Sequence, residues 1–169
     1  MAFQPFNLTG KVALITGGNG GIGLGMARGL AAAGADLVIW GTSEAKNAAA
    51  SATLDEYGRR VLAQRVDITD ENAVKSAMSD AIAQMGRLDT AIANAGIVGE
   101  IKPFVDYTYA DYQKVIAVNL EGAFFTLREA CRHMVARARS GDPGGSLIGI
   151  SSIGALQGAA RTPAYGASK

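Results

Sequence analysis

Residues 11–23, KVALITGGNGGIG, decide the fold of this chain. Residues 11–16 (KVALIT) form a short apolar run of the kind that fills a strand buried on both faces. The run enters Thr16-Gly17-Gly18-Asn19-Gly20-Gly21-Ile22-Gly23, after which Ile22, Met26, Leu30 and Ala33 recur at helical spacing until Gly34. This succession predicts strand, tight turn, helix. Glycines in such a turn let the backbone approach a ligand closely, and the free N–H groups of the helix that follows suit an anion such as a diphosphate. A loose glycine pattern alone also fits a flexible surface turn. Its place between an N-terminal strand and an amphipathic helix is what points to dinucleotide binding.

Outward from this unit the alternation continues. Residues 36–40 (DLVIW) predict a second buried strand, followed by an Ala-rich helix over about 43–57 that Gly58 can stop. A third strand fits residues 60–65. Asp70 is the expected N-cap of a helix running to about Met85, and residues 88–93 give a fourth strand that ends at Asn94. A long helix is expected over 108–139, broken by Gly141-Asp142-Pro143-Gly144-Gly145 before a fifth strand at 146–150. Strands alternating with helices imply an α/β fold with a doubly wound, parallel, Rossmann-type sheet. Five strand candidates stand against the six of the usual dinucleotide-binding sheet. Residues 1–169 are therefore expected to be a single Rossmann-type dinucleotide-binding domain, truncated after the fifth strand with its C-terminal part missing.

Composition narrows the function classes. A chain of 169 residues suits one domain, and 49% hydrophobic with 18% charged residues is too apolar for a disordered segment. Sixteen Lys and Arg against fifteen Asp and Glu leave +1 with no block of like charge, so no nucleic-acid footprint is expected. No apolar run approaches the roughly 18 residues of a spanning helix, and residues 1–10 lack the pattern of a signal peptide. The expectation is no membrane association and a cytoplasmic location. A single cysteine and a single histidine exclude an intrachain disulfide framework and any site needing two imidazoles, so no metal site is predicted. Cys131 and His133 are two apart in a helical pattern and point in different directions, which argues against a catalytic dyad. Met26, Met78, Met85 and Met134 read as core filling.

On these and further residues the chain resembles the short-chain dehydrogenase/reductase family. Thr16, Gly17, Gly21 and Gly23 match the T-G-x-x-x-G-x-G of its compact branch, while Gly20 makes the loop also satisfy the T-G-x-x-G-x-x-G of the extended, sugar-nucleotide branch. Asn94-Ala95-Gly96 matches the N-A-G after the fourth strand, and Asn119 matches the helix asparagine. These two favour the compact branch over an epimerase. Ser152, in Ile150-Ser151-Ser152, lies 13 residues before Tyr165, and Tyr165-Gly166-Ala167-Ser168-Lys169 matches Y-x-x-x-K.

The resemblance implies an NAD(P)-dependent oxidoreductase that interconverts a secondary alcohol and a ketone by hydride transfer. It implies Tyr165 as acid–base, Lys169 as its tuner and a ribose ligand, Ser152 as donor to the substrate oxygen, and Asn119 as the relay that holds a water. It assigns cofactor contacts to Gly17, Asn19, Gly20, Gly21, Ile22, Gly23, Thr42, Asp67, Ile68, Asn94, Ala95, Gly96, Tyr165 and Lys169, with Asp67 and Asn94 on the adenosine side. It also implies a homo-oligomer, a tetramer or dimer, with one of Phe124 and Phe125 facing the sheet and the other a partner subunit. The residues carry their own physical argument. Tyr165 and Lys169 lie one helical turn apart on a common face. A free tyrosine titrates near ~10, so it needs a neighbouring positive charge to serve as an acid–base group at neutral pH.

Cofactor choice rests on the end of the second strand. An acid there would bond the ribose 2′-OH and repel a 2′-phosphate, yet the position is Gly41. No arginine stands at Thr42 or Gly20. Thr42 and Ser43 offer hydroxyls and Lys46 is nearby, so the reading leans to NADP. The small-molecule substrate is not specified by loops 97–107 and 153–164, whose one suggestive charge is Arg161. The alternative expectation is a truncated, non-catalytic dinucleotide-binding fragment or interaction subunit.

Overall fold

Every residue of the first strand, β1 (Val12–Thr16), is buried, as its unbroken apolar run requires. The structure is a computed structural model that describes residues 6–158 and 160–169. Residues 1–5, part of the segment read for a leader, and Ala159 in the 153–164 loop lie outside the described residues. β1 is followed by α1 (Gly21–Ala32), β2 (Asp36–Gly41), α2 (Glu44–Asp55), β3 (Val61–Arg65), α3 (Glu71–Met85) and β4 (Thr90–Ala93). A single 3₁₀ turn (Phe104–Asp106) then leads to α4 (Tyr109–Ile116), a π-helical turn (Ala117–Glu121), α5 (Gly122–Arg139), β5 (Ser146–Gly149), α6 (Gly154–Gln157) and α7 (Pro163–Ser168).

The five strands form one parallel sheet in the order β3-β2-β1-β4-β5. Alternate residues of β1 feed two cores, as a period of two demands. Val12 and Leu14 pack with Val74, Met78, Met85, Ala130 and Met134 from α3 and α5. Ala13 and Ile15 pack with Ala27, Ala31, Ala50 and Leu54 from α1 and α2. Helices therefore cover both faces, which is the doubly wound arrangement the alternation predicts. The sheet order reverses between β1 and β4, so the carboxyl ends of these two strands flank a crevice suited to a ligand.

Several expectations need adjustment. The third, fourth and fifth strands are shorter than predicted, beginning at Val61, beginning at Thr90 and ending at Gly149. Leu88 lies outside β4 but is still core, at 2% exposure, so its apolar character reports packing, not pairing. The helix expected over 108–139 is interrupted by the π turn, which carries Asn119. The 153–164 segment is not all loop, because α6 lies within it and α7 starts at Pro163. Asp70 caps α3 as expected, its side chain accepting from the Asn72 and Ala73 N–H groups at 2.8 and 3.1 Å. Phe125 packs against the core, whereas Phe124 is exposed and lies against the Arg128 guanidinium.

At the opposite end of the sheet from the crevice, Asp89 gathers three cations. Arg87 donates to it at 2.8 and 2.7 Å, Arg137 at 3.1 Å and Lys11 at 3.4 Å, and the Val12 N–H adds a bond of 3.0 Å. Burial raises the Asp89 carboxyl, but the hydrogen bonds from Arg87 and Val12, with the charges of Arg87 and Lys11, more than offset it and hold the group well below the usual carboxylate range. His133 is nearby, its Nε2 accepting from the Leu88 N–H at 3.2 Å. Burial, then the charge of Arg137, pushes its imidazole below its ordinary value. Cys131 is exposed and takes no part in this cluster.

Candidate active site

The glycine loop takes its shape from close contacts that only glycine permits. Gly17 has φ 66° and Gly21 φ 50°, both in the left-handed region. A Cβ on Gly23 would lie 2.2 Å from the Gly17 carbonyl oxygen and 2.7 Å from Asn94 Nδ2. α1 starts at Gly21 with Gly20 as an N-cap that offers no side-chain bond, and no acid occupies its first turn. The first N–H groups of α1 are thus left for a ligand, and they favour an anion. This cradle fits a dinucleotide diphosphate.

The N-A-G segment is tied to the same loop by Thr16. Its Oγ1 accepts from the N–H groups of Asn94 and Ala95, both at 3.0 Å, and Asn94 Nδ2 donates to the Thr16 carbonyl at 2.9 Å. Thr16 is 1% exposed, so these bonds are shielded from water. Asn94 therefore joins the ends of β1 and β4.

Two adjoining clefts open at the carboxyl ends of the strands and share Gly17, Ala95, Gly96 and Ile97. One, of about 450 Å³, is lined by Asn19, Gly41, Thr42, Ser43, Lys46, Asp67, Ile68 and Thr69, with Lys114 and Val118 across from them. Asp67 Oδ1 in this cleft accepts from the Thr69 N–H at 3.0 Å and its hydroxyl at 2.8 Å. The other, of about 430 Å³, is lined by Gly20, Ile22, Gly23, Asn94, Ser152, Tyr165 and Lys169. The fold thus brings the glycine loop and three of the four expected catalytic residues to one cleft. Gly21 lines neither cleft; it supplies the turn into α1.

Asn119, the fourth, sits behind the cleft wall at 5% exposure. Its Oδ1 accepts from the Ile97 N–H at 2.8 Å, and its Nδ2 donates to the Ile97 carbonyl and to Ser168 Oγ, both at 2.9 Å. Ser168 Oγ in turn donates to the Tyr165 carbonyl at 2.8 Å. The π turn is what aims Asn119 at both groups, joining the segment after Asn94-Ala95-Gly96 to the helix that carries Tyr165.

Lys169 Nζ donates to the Ile150 carbonyl at 2.9 Å and lies 6.0 Å from the centroid of the Tyr165 ring. Ser152 Oγ accepts from the Gly154 N–H at 3.1 Å, and a Cβ on Gly154 would touch both Tyr165 Cε1 at 3.3 Å and Ser152 Oγ at 3.5 Å. Gly154 therefore packs against both the ring and the hydroxyl. Ser151 also lines this cleft, its Oγ donating to the Lys169 carbonyl at 2.8 Å.

Sequence reasoning missed Asn47 in α2. It is 4% exposed and shares a buried stripe with Ala50 and Leu54. The available signal was a polar residue at i, i+3, i+7 spacing with apolar ones. Lys114 and Val118 were also missed, because nothing local to them indicates a cleft.

The class is now defined: a Rossmann-type dinucleotide-binding fold with Tyr, Lys and Ser beside the glycine loop. The family described as short chain dehydrogenase matches residues 11–169, and the chain belongs to it. Among curated relatives, 2-dehydro-3-deoxy-D-gluconate 5-dehydrogenase of Dickeya dadantii (strain 3937) is 35% identical over all of this chain and 64% of that protein. Cis-4-hydroxycyclohexanecarboxylate dehydrogenase of Sinomonas cyclohexanicum is 37% identical over 94% of this chain and 61% of its own length. Among solved structures, NAD+-bound xylitol dehydrogenase superposes with a TM-score of 0.91 at 30% identity, over 96% of this chain and 60% of that one. The chain therefore spans less than two thirds of the length of these relatives. No helix among the described residues is long and apolar enough to cross a membrane.

Proposed function

We propose that this chain carries the dinucleotide-binding and catalytic part of an NAD(P)-dependent oxidoreductase that interconverts a secondary alcohol and a ketone. One observation carries the reading: the uncapped glycine-loop end of α1 and the side chains of Ser152, Tyr165 and Lys169 line a single cleft.

The N–H groups at the start of α1, with Gly17, Gly20 and Gly23, would hold the diphosphate. Asn19, Thr42, Asp67, Ile68 and Asn94 would flank the adenosine, and Ala95 and Gly96 the middle of the cofactor. When bound, the nicotinamide supplies the hydride donor or acceptor. The chain's own groups handle the proton and the geometry. Tyr165 exchanges a proton with the substrate oxygen through its phenol oxygen. Ser152 Oγ donates to that same oxygen and orients it. Lys169, anchored by the Ile150 carbonyl, brings a positive charge into the cleft beside Tyr165. Asn119 fixes the segment carrying Ile97 against the Tyr165 helix, so that the two walls of the cleft keep their separation.

NADP is the favoured cofactor in this reading, because Gly41 supplies no carboxylate while Thr42, Ser43 and Lys46 line the adenosine end. A small alcohol or ketone is the substrate class, the exposed Phe124 face of α5 is assigned to self-association in a homo-oligomer, and the location is cytoplasmic. The test is Tyr165→Phe in the full-length protein, assayed for dinucleotide-dependent oxidation of a panel of secondary alcohols. Turnover should fall by at least about a thousandfold, within the range general acid–base groups supply, with dinucleotide affinity retained. Wild-type turnover in this variant would refute the proposed chemistry.

A further inference from the structure

The adenosine cleft contains a clamp that spans three elements. Asn47 Nδ2, on α2, donates to the Gly41 carbonyl at 3.1 Å and to the Gln64 carbonyl at 3.0 Å. Its Oδ1 accepts from Asn19 Nδ2 of the glycine loop at 2.7 Å. Both faces of the buried amide are therefore used, tying the loop to the ends of β2 and β3. The consequence falls on Gly41. A Cβ there would lie 2.0 Å from Asn19 Nδ2, 2.5 Å from Asn19 Cγ and 2.7 Å from Asn47 Oδ1. With the clamp closed, position 41 has no room for any side chain. It is also the position at the end of β2 from which an acid would meet the adenosine ribose. The lining of this cleft holds two ammonium groups, Lys46 and Lys114, and one carboxylate, Asp67, whose Oδ1 is already engaged by Thr69.

We propose that Asn47 is a positioning residue for cofactor selectivity: by holding Asn19 over Gly41 it restricts position 41 to glycine, so that the acid that would turn the ribose end toward NAD is accommodated only once the clamp is released. This rests on the dinucleotide-binding reading above. The clamp makes selectivity a joint property of residues 19, 41 and 47, since an acid at position 41 is accommodated only when Asn19 is released or removed. Independent effects at distinct sites add, whereas residues sharing one contact do not.

The test measures the Kd of NADP and of NAD by the change in fluorescence of Trp40, the chain's one tryptophan, which is buried beneath the cleft. Melting temperature is recorded for every variant. Wild type should bind NADP more tightly than NAD by about tenfold, equivalent to ~1.4 kcal/mol. Gly41→Asp alone should weaken both dinucleotides and lower the melting temperature. Adding Asn47→Ala to it should recover NAD affinity by about tenfold over the single variant, with no recovery for NADP. If Gly41→Asp fails to fold, Asn19→Gly/Gly41→Asp removes the obstructing atoms outright and should prefer NAD. Strictly additive losses in Gly41→Asp/Asn47→Ala, or a retained NADP preference in Asn19→Gly/Gly41→Asp, would overturn the proposal. So would a wild type that prefers NAD, or a Gly41→Asp single variant that binds NAD as wild type does and melts at the same temperature. Absence of binding of either dinucleotide to wild type would instead sink the underlying cofactor reading.

Discussion

Gly23→Ala tests the glycine loop more stringently than any change to a catalytic side chain. The added methyl would sit 2.2 Å from the Gly17 carbonyl oxygen, 2.7 Å from Asn94 Nδ2 and 2.8 Å from the Gly17 carbonyl carbon. Two of these three atoms are backbone, so no rotamer change relieves the contact; α1 must move away from the end of β1. That shift also strains the Asn94 bond to the Thr16 carbonyl, which joins β1 to β4. Overpacking of this kind costs ~1–3 kcal/mol, and a backbone obstruction belongs at the upper end. At ~2–4 °C per kcal/mol for a domain of this size, the melting temperature should fall by about 6–12 °C. Dinucleotide affinity should fall with it, because the displaced N–H groups at the start of α1 no longer converge on one anion. The assay is a thermal melt by circular dichroism, paired with titration of NADP followed through Trp40. Gly20→Ala is the control for the melt alone: among the described residues nothing lies within 4 Å of a Cβ there, and φ of −177° is ordinary extended backbone. If Gly23→Ala melts and binds as wild type does, the loop does not work by close approach and the argument fails.

Three further outcomes are expected. Gly29→Ala places a methyl in open space on α1 and should raise stability by roughly 0.5–1 kcal/mol, read from a urea midpoint; a decrease would show that α1 is constrained there by something other than packing. Thr16→Val removes the hydroxyl that accepts from the Asn94 and Ala95 N–H groups, stranding two donors, and should cost about 2 kcal/mol or more while also weakening dinucleotide binding. His133 has its imidazole pushed below the ordinary value, so the folded state binds fewer protons than the unfolded one and stability must decline as pH falls from about 6.5 toward the folded value. The urea midpoint of wild type should therefore drop between pH 7.5 and 5.5, and His133→Gln should flatten that part of the profile; an unchanged slope would assign the dependence to other groups.

Ser152, Tyr165 and Lys169 were singled out by the family resemblance, whereas the sequence alone determined the α/β class, the parallel sheet and the position of the glycine loop. The physical reason is that these are local signals. An apolar strand running into glycines and then a 3.6-residue periodicity leaves little choice of element, and strand–helix alternation leaves little choice of connection. The resemblance picked out Tyr165 and Lys169, and their separation by four residues gave that pairing a physical basis.

What the tertiary structure decided depends on contacts between distant segments. The π turn at Asn119 has no sequence periodicity to announce it, and it matters because it directs one side chain to both Ile97 and Ser168. The anchoring of Lys169 by Ile150, with its ammonium 6.0 Å from the Tyr165 ring centroid, is likewise beyond the i, i+4 rule. Asn47 read as one polar residue in an Ala-rich helix until β2, β3 and the glycine loop were brought to it. Gly41 shows the division most plainly. In the sequence it is a missing acid, whereas in the fold it is a position that the Asn19–Asn47 bond leaves too small for any side chain.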